Sequence, residues 1–339
     1  MAVDYSDDGV CGENYDTYFH RQYIDLFLSC LGLFLSTVHL TLLIYIRYAQ
    51  KHKGFFLMLI QAFISVLTMA FLIFGCIIDL CAVRLNSILA FFRAYIWLFL
   101  VNALIATYGF IVVALCLDRY VALNNPLYYK LCFSKLRARI LITSVCCVVA
   151  AIVCFKWLIY NKVEGGDGFV ENEVVTSTLW YNVIKTISAL IQYFVSGVVM
   201  ILLSVSIITK LKELDYQHSM ELRLAEGSMN EWTKHHRTTA NICIFLTFSY
   251  IACNWPYALA DYFYTPELSE TIWYGSIEVI INIFQLLYLQ LNIFFFAYCS
   301  HIYRQNLCFL TACTTKELKK LISWQRKIQI TENKSQNNC

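Results

Sequence analysis

Asp118 and Arg119 stand side by side at the end of a long apolar run, followed by Tyr120, Pro126 and Tyr128. Ionisable side chains are costly at the edge of lipid or within it, so they persist where they pair or where they act. A second group lies further along: Glu278, Asn282 and Gln285 fall at i, i+4 and i+7, which puts them on one helical face. Asp79 and Asp261 are further carboxylates within apolar runs. With Ser188, Gln192 and Tyr257, the Glu278 face is expected to line a cavity, and Asp261 is a further candidate. Such a cavity would favour a cationic ligand or the basic end of a peptide by direct ion pairing.

Catalytic chemistry finds little to work with. The sequence has no HExxH, GxSxG, P-loop or GxGxxG motif, and the adjacent His235 and His236 lack acidic or Cys partners at ligand spacing. No enzyme activity, metal or cofactor is therefore expected. Fifteen cysteines are present, most of them inside apolar runs, where Cys packs as a small hydrophobe. Four have other prospects. Cys11 and Cys81 are placed where a disulfide could tie the N-terminus to the end of the second apolar run. Cys308 and Cys313 lie on a short amphipathic stretch just after the last run, a setting for reversible palmitoylation.

The elements that must hold these residues are read from composition. Of 339 residues, 59% are hydrophobic and 14% charged, too apolar for a soluble domain. A membrane span needs about 20 mostly apolar residues, because its backbone must satisfy its own polar groups. Seven stretches qualify: 23–46, 55–81, 88–120, 140–160, 179–211, 238–264 and 272–298. Arg47, Lys51 and Lys53 follow the first, and Lys130, Lys135, Arg137 and Arg139 follow the third, marking both gaps as cytoplasmic. The opposite gaps are acidic or mixed, with Glu164, Asp167, Glu171 and Glu173, then Glu267 and Glu270.

The expected organisation is an all-α membrane protein. Residues 1–22 form an extracellular N-terminus, 23–298 a seven-transmembrane helix bundle, and 299–339 an amphipathic helix eight with a cytoplasmic tail. The acidic N-terminus has no signal-peptide features, so the first span is expected to serve as an uncleaved signal. Residues 210–237 mix both charge signs and read as solvated extensions of spans five and six. A net charge of +3 is too small to suggest a nucleic-acid partner.

The run Asp118-Arg119-Tyr120-Val121-Ala122-Leu123-Asn124-Asn125-Pro126-Leu127-Tyr128-Tyr129, third of seven and at a cytoplasmic end, resembles the DRY motif and PLxY loop of rhodopsin-like G-protein-coupled receptors. Cys253-Asn254-Trp255-Pro256-Tyr257 is similar to that family's CWxPY stretch in span six. Asn292, with Tyr303 and Arg304 downstream, is similar to its NPxxY segment and helix eight. The resemblance implies a receptor in the plasma membrane, coupled to a heterotrimeric G protein through Asp118, Arg119, Tyr120, Pro126, Tyr128 and Asn292. It also implies a hinge at Asn254, Trp255 and Pro256, since an intrahelical proline removes a backbone hydrogen bond.

Departures from the family pattern are as informative. Asn254 occupies the usual toggle tryptophan position, and Tyr250 replaces a phenylalanine. Ile293 and Phe296 replace the proline and tyrosine of NPxxY. Ser36 and Ser65 stand for the usual asparagine and sodium-binding aspartate, Cys146 or Cys147 for the span-four tryptophan, and Ser196 for the span-five proline. No sodium site is expected. Ala94 removes one half of the usual outer disulfide. Val101, a pocket position, replaces the aspartate that binds biogenic amines, and Leu286 replaces the retinal lysine of opsins. A peptide or cationic ligand is favoured, with an odorant as a minor option. His236 takes the place of the acid that usually restrains the arginine, so elevated basal activity is expected. The rival readings are a signalling-silent scaffold or trafficking partner of another receptor, and a transporter or channel. Transporters usually carry paired inverted repeats, which are not seen here.

Overall fold

The structure is a computed structural model. It describes residues 13–50, 56–80, 92–125, 129, 144, 149, 160–162, 169–171, 178–221, 230–263 and 272–311. Along the chain these form α1 (Glu13–Gln50), α2 (Phe56–Leu80), a π-helical lead-in (Phe92–Trp97) running into α3 (Leu98–Asn124), β1 (Tyr160–Lys162) and β2 (Phe169–Glu171). Then come α4 (Leu179–Ala189), a second π-helical segment (Leu190–Val195), α5 (Ser196–Glu221), α6 (Asn230–Phe263), α7 (Ile272–Gln290), α8 (Asn292–Cys299) and α9 (His301–Thr311).

Five of the described helical stretches are long and apolar enough to cross a membrane: Gln22–Arg47, Phe56–Ile78, Phe99–Asn124, Leu179–Leu214 and Arg237–Ala260. A sixth is the pair Val279–Gln290 and Asn292–Cys299, bent by 46° at the break. The chain is a multi-span helical membrane protein. Phe27, Phe34, Leu202 and Phe248 are among its most exposed apolar side chains, on faces that water would not tolerate without a partner. The expected fourth span, 140–160, lies almost entirely outside the described residues. Within it Val149 is buried against Ala106 of α3, with Ala103 and Phe110 alongside.

Several boundaries differ from the expected ones. α1 begins at Glu13, ten residues ahead of the expected span, because residues 13–22 contain neither Pro nor Gly to stop a helix. α5 continues to Glu221 and α6 starts at Asn230, the helical extensions expected of spans five and six. Lys210 pairs with Glu213 at 2.7 Å on the first of these. The all-α expectation needs one correction. β1 and β2 pair antiparallel, Tyr160 opposite Glu171 and Lys162 opposite Phe169, just past the expected fourth span. Between them the sequence carries Gly165, Gly166 and Gly168, which suit a reversing loop.

The main core joins α1, α2, α3, α5, α6, α7 and α8, with Leu42, Met58, Met69, Tyr108, Ile111, Leu115, Met200, Leu246 and Phe296 buried at its centre. Close helix contact at two points requires glycine. A Cβ on Gly75 of α2 would stand 2.3 Å from the Trp97 ring, which reaches across from the π-helical lead-in and donates from Nε1 to the Phe71 carbonyl at 2.6 Å. A Cβ on Gly197 of α5 would stand 2.6 Å from Trp255 Nε1. Because the Trp97 indole is rigid, Gly75→Ala is expected to destabilise the fold by about 1–3 kcal/mol. Thermal unfolding of the detergent-solubilised chain measures this, and an unchanged midpoint would contradict the packing described.

Candidate functional site

The Asp118–Arg119 pair sits at the end of α3. Both residues are buried, and Arg119 is only 2% exposed. Consecutive residues do not face each other on a helix, so the pair forms by the Arg119 side chain curling back. Its Nε donates to Asp118 Oδ2 at 2.9 Å, and its terminal nitrogen donates to the same oxygen. Tyr129 closes over the pair. Its hydroxyl lies 3.4 Å from the guanidinium and 3.5 Å from Asp118 Oδ2. Burial pushes the Tyr129 phenol up from its ordinary pKa, so it stays a neutral donor.

The sequence reading placed Tyr128, with Pro126, among the coupling residues. The structure brings Tyr129 to the pair, and Pro126 and Tyr128 lie outside the described residues. Counting the PLxY spacing strictly from Pro126 selects Tyr129. Tyr120 is half-buried beside Leu123, Ile207 and Ala240, where α3, α5 and α6 meet.

In the middle of the bundle, the segment Leu190–Val195 takes the place of a proline bend. Its wide turn offers the carbonyls of Gln192 and Tyr193 to neighbouring helices. Tyr250 of α6 donates to the Gln192 carbonyl and lies 2.7 Å from Ser196 Oγ. Trp255 Nε1 donates to the Tyr193 carbonyl at 3.1 Å, its ring packed against Phe194. Tyr250 also packs edge-on against Tyr288 of α7, and a Cβ on Gly109 of α3 would touch its ring at 3.1 Å. One phenol therefore touches α3, α5, α7 and the π-helical segment. The sequence marked Tyr250 only as a departure.

Of the hinge residues, Asn254 turns its amide back to the Tyr250 carbonyl at 3.1 Å, and Pro256 lies within continuous α6. The sharp bend is elsewhere, at Leu291 between α7 and α8. No proline is present there, but Ser65 Oγ of α2 donates to the Leu289 carbonyl at 3.1 Å while bonding Ser36 Oγ of α1 at 2.8 Å. A side chain entering the carbonyl ladder is a recognised cause of a kink. Beside the bend, Asn292 Nδ2 donates to the Tyr108 hydroxyl. Residues from Leu35 to Ile293 enclose this region so tightly that no water-sized space remains.

A contact unforeseen in the sequence ties α1 to α9. His39 Nδ1 lies 2.7 Å from the Tyr303 hydroxyl, and both rings pack against Phe296. A lone histidine in an apolar run carries no mark of a partner 264 residues away.

The pocket candidates are placed as follows. Val101 is buried on α3, and Ser188 and Asn282 are half-buried on α4 and α7. Tyr257 packs on Tyr193 at 5.9 Å, beside the Gln192 turn, so these two positions are brought together. The side chains of Asp79, Asp261 and Glu278 lie outside the described residues. So do those of His235 and His236, together with Cys11, Cys81 and Cys313. A recess of about 240 Å³ opens at Asn182, Val183, Thr186 and Ile187 on α4, near Ser188. Cys308 is exposed on α9.

Comparison with known proteins adds a relationship at this point. Over 245 residues, 66% of the chain, the sequence is 20% identical to a Caenorhabditis elegans protein named "Probable G-protein coupled receptor AH9.1". The likeness is to a receptor. It spans 59% of that relative's length. No protein-family model matches the chain.

Proposed function

We propose that the chain is a rhodopsin-like G-protein-coupled receptor of the plasma membrane, with seven spans, an extracellular N-terminus and a cytoplasmic tail. An extracellular ligand, cationic or peptidic, shifts the bundle between two states, and a heterotrimeric G protein reads the shift at Arg119. The observation that carries this reading is the buried Asp118–Arg119 pair at the end of α3, with the Tyr129 hydroxyl beside it. A charge pair kept at the end of a membrane helix, rather than replaced by apolar residues, fits a group that must be released to act. The distant likeness to a protein named as a receptor supports the same class. Glu278 and Asn282 are the proposed ligand anchors, with Tyr257 and Gln192 below them. Cys308, exposed on α9, and Cys313 are proposed palmitoylation sites that would hold helix eight to lipid.

Basal signalling is expected to be elevated, because His236 stands where an acid would restrain Arg119. In cells, G-protein recruitment without ligand is expected for the native chain and is expected to vanish in Arg119→Ala at equal surface expression. Recruitment absent from both would favour a signalling-silent scaffold. Recruitment unchanged by the substitution would remove Arg119 from the coupling role.

A further inference from the structure

Where α8 meets α9, a cation stands beside an aromatic face that no described residue covers. Phe245 of α6 stacks on Phe295 of α8 with ring centroids 5.5 Å apart, and meets Tyr298 edge-on at 5.7 Å. Tyr298 and Phe248, one turn along α6 from Phe245, are the two most exposed aromatic rings among the described residues, at 71% and 72%. Arg304 of α9 donates to the Tyr298 carbonyl at 3.4 Å, which holds its guanidinium at the edge of this face. Among the described residues no carboxylate pairs with it. α9 turns His301, Arg304 and Cys308 outward, while Tyr303 packs inward on His39 and Phe296.

Exposed aromatic rings with a cation at their rim suit the boundary between hydrocarbon and lipid headgroups. Tyr298 lies in the last turn of α8, the end of a span, so Arg304 stands at headgroup depth. The sequence beyond α9 extends the charge. Residues 316–328 lie outside the described residues, but their order is informative. On a helical period Lys316, Lys319, Lys320, Arg326 and Lys327 share one side, and Leu318, Leu321, Ile322, Trp324 and Ile328 share the other, with Glu317 the single acid. A basic amphipathic pattern close to a span matches an anionic membrane surface.

We propose that Arg304 and His301, together with the Tyr298 and Phe248 face, form a site for an anionic phospholipid, and that the basic run 316–327 extends it over neighbouring headgroups. The lipid phosphate pairs with the Arg304 guanidinium through charge-assisted hydrogen bonds, and an acyl chain covers the Phe245 and Phe248 rings. A zwitterionic lipid offers the same chain but carries its own cation, so net headgroup charge is what the site selects. With lipidation at Cys308, the charge supplies the second of the two signals that stable anchoring takes. That the leaflet is the cytoplasmic one rests on the proposed orientation of the chain.

In the test, the full chain in neutral detergent is offered equimolar phosphatidylcholine and phosphatidylinositol bisphosphate, and bound lipids are counted by native mass spectrometry. Each basic side chain near an anionic surface is worth roughly fivefold in partitioning, so retention of the phosphoinositide about tenfold or more above phosphatidylcholine is expected. Arg304→Gln should lower that retention roughly fivefold. Tyr298→Ala should lower retention of both lipids, since both use the aromatic face. Equal retention of the two lipids, or full phosphoinositide retention in Arg304→Gln, overturns the site. Arg304 is exposed, and the comparison of lipids on the native chain needs no variant. The basic run is read separately, by trypsin cleavage within 316–327 in nanodiscs. Cleavage slowed by the phosphoinositide, and restored in about 0.5 M salt where screening is short-ranged, is expected. Slowing by calcium-loaded calmodulin but not by the lipid would give the run to a protein partner and overturn its part in the site. Discs expose both leaflets, so an antibody reaching a C-terminal epitope on intact cells would sink the orientation reading while leaving the lipid result standing.

Discussion

Replacing Asp118 by alanine is expected to destabilise the folded chain by about 3–5 kcal/mol, because it leaves the Arg119 guanidinium buried without its counter-charge. Nε and a terminal nitrogen of Arg119 both donate to Asp118 Oδ2, and the Tyr129 hydroxyl at 3.4 Å cannot neutralise a cation. Removing both charges should cost less than removing the acid alone, since no isolated ion then remains. Thermal unfolding of Asp118→Ala, Arg119→Leu and the double variant provides the cycle. A double variant as damaged as the sum of the two would refute the pairing argument. The same single substitution frees Arg119 from its partner, so ligand-free G-protein recruitment per folded molecule should rise while the amount of folded protein falls.

The second large effect is expected at Tyr108. This residue is fully buried, accepts from Asn292 Nδ2, and packs edge-on against Tyr288 with ring centroids 5.2 Å apart. Tyr108→Ala should cost about 3–5 kcal/mol through lost transfer energy and the cavity left behind. Tyr108→Phe keeps the ring and removes only the hydroxyl, and should cost about 1–3 kcal/mol by leaving the buried Asn292 amide without its acceptor. The neighbouring Tyr288 gives a contrast of sign. Among the described residues its buried hydroxyl has no hydrogen-bond partner, so Tyr288→Phe should be neutral or stabilising. Melting curves for the three variants separate these cases. A Tyr288→Phe chain less stable than Tyr108→Phe would invert the assignment.

What the sequence made legible is what a linear pattern can carry. Apolar runs of span length located α2 within one residue at each end, and the Asp118-Arg119-Tyr120 motif located the charge pair. Helix boundaries in polar stretches were less legible, since residues 13–22 lack both an apolar period and a stop signal. Contacts between distant segments were not legible at all. Ser36, Ser65 and Ser196 looked like losses against a family pattern, yet each hydroxyl bonds another helix or the backbone at a bend. Tyr250, marked only as a departure, and His39 gave no sign of their partners, Gln192 and Tyr303, which are 58 and 264 residues away. The doubled tyrosine at Tyr128 and Tyr129 carries no linear mark of which one reaches the charge pair, and the contact of Tyr129 with Asp118 and Arg119 is seen only in three dimensions.

The bend at Leu291 has a mechanical meaning that its chemistry makes plain. A proline kink is covalent and permanent. Here the angle is held by a hydroxyl wedged against the Leu289 carbonyl, a contact with a net value of about 0.5–1.5 kcal/mol that thermal motion or a bound guest can withdraw. α8 has 8 residues and so forms a lever roughly 12 Å long; swinging it through the 46° bend would carry its tip by roughly 9 Å. That tip leads directly into α9, which the His39–Tyr303 bond moors to α1. The fastenings at its pivot and beyond its end thus act together with the buried Phe296 ring and the Asn292–Tyr108 hydrogen bond to hold the lever at this angle.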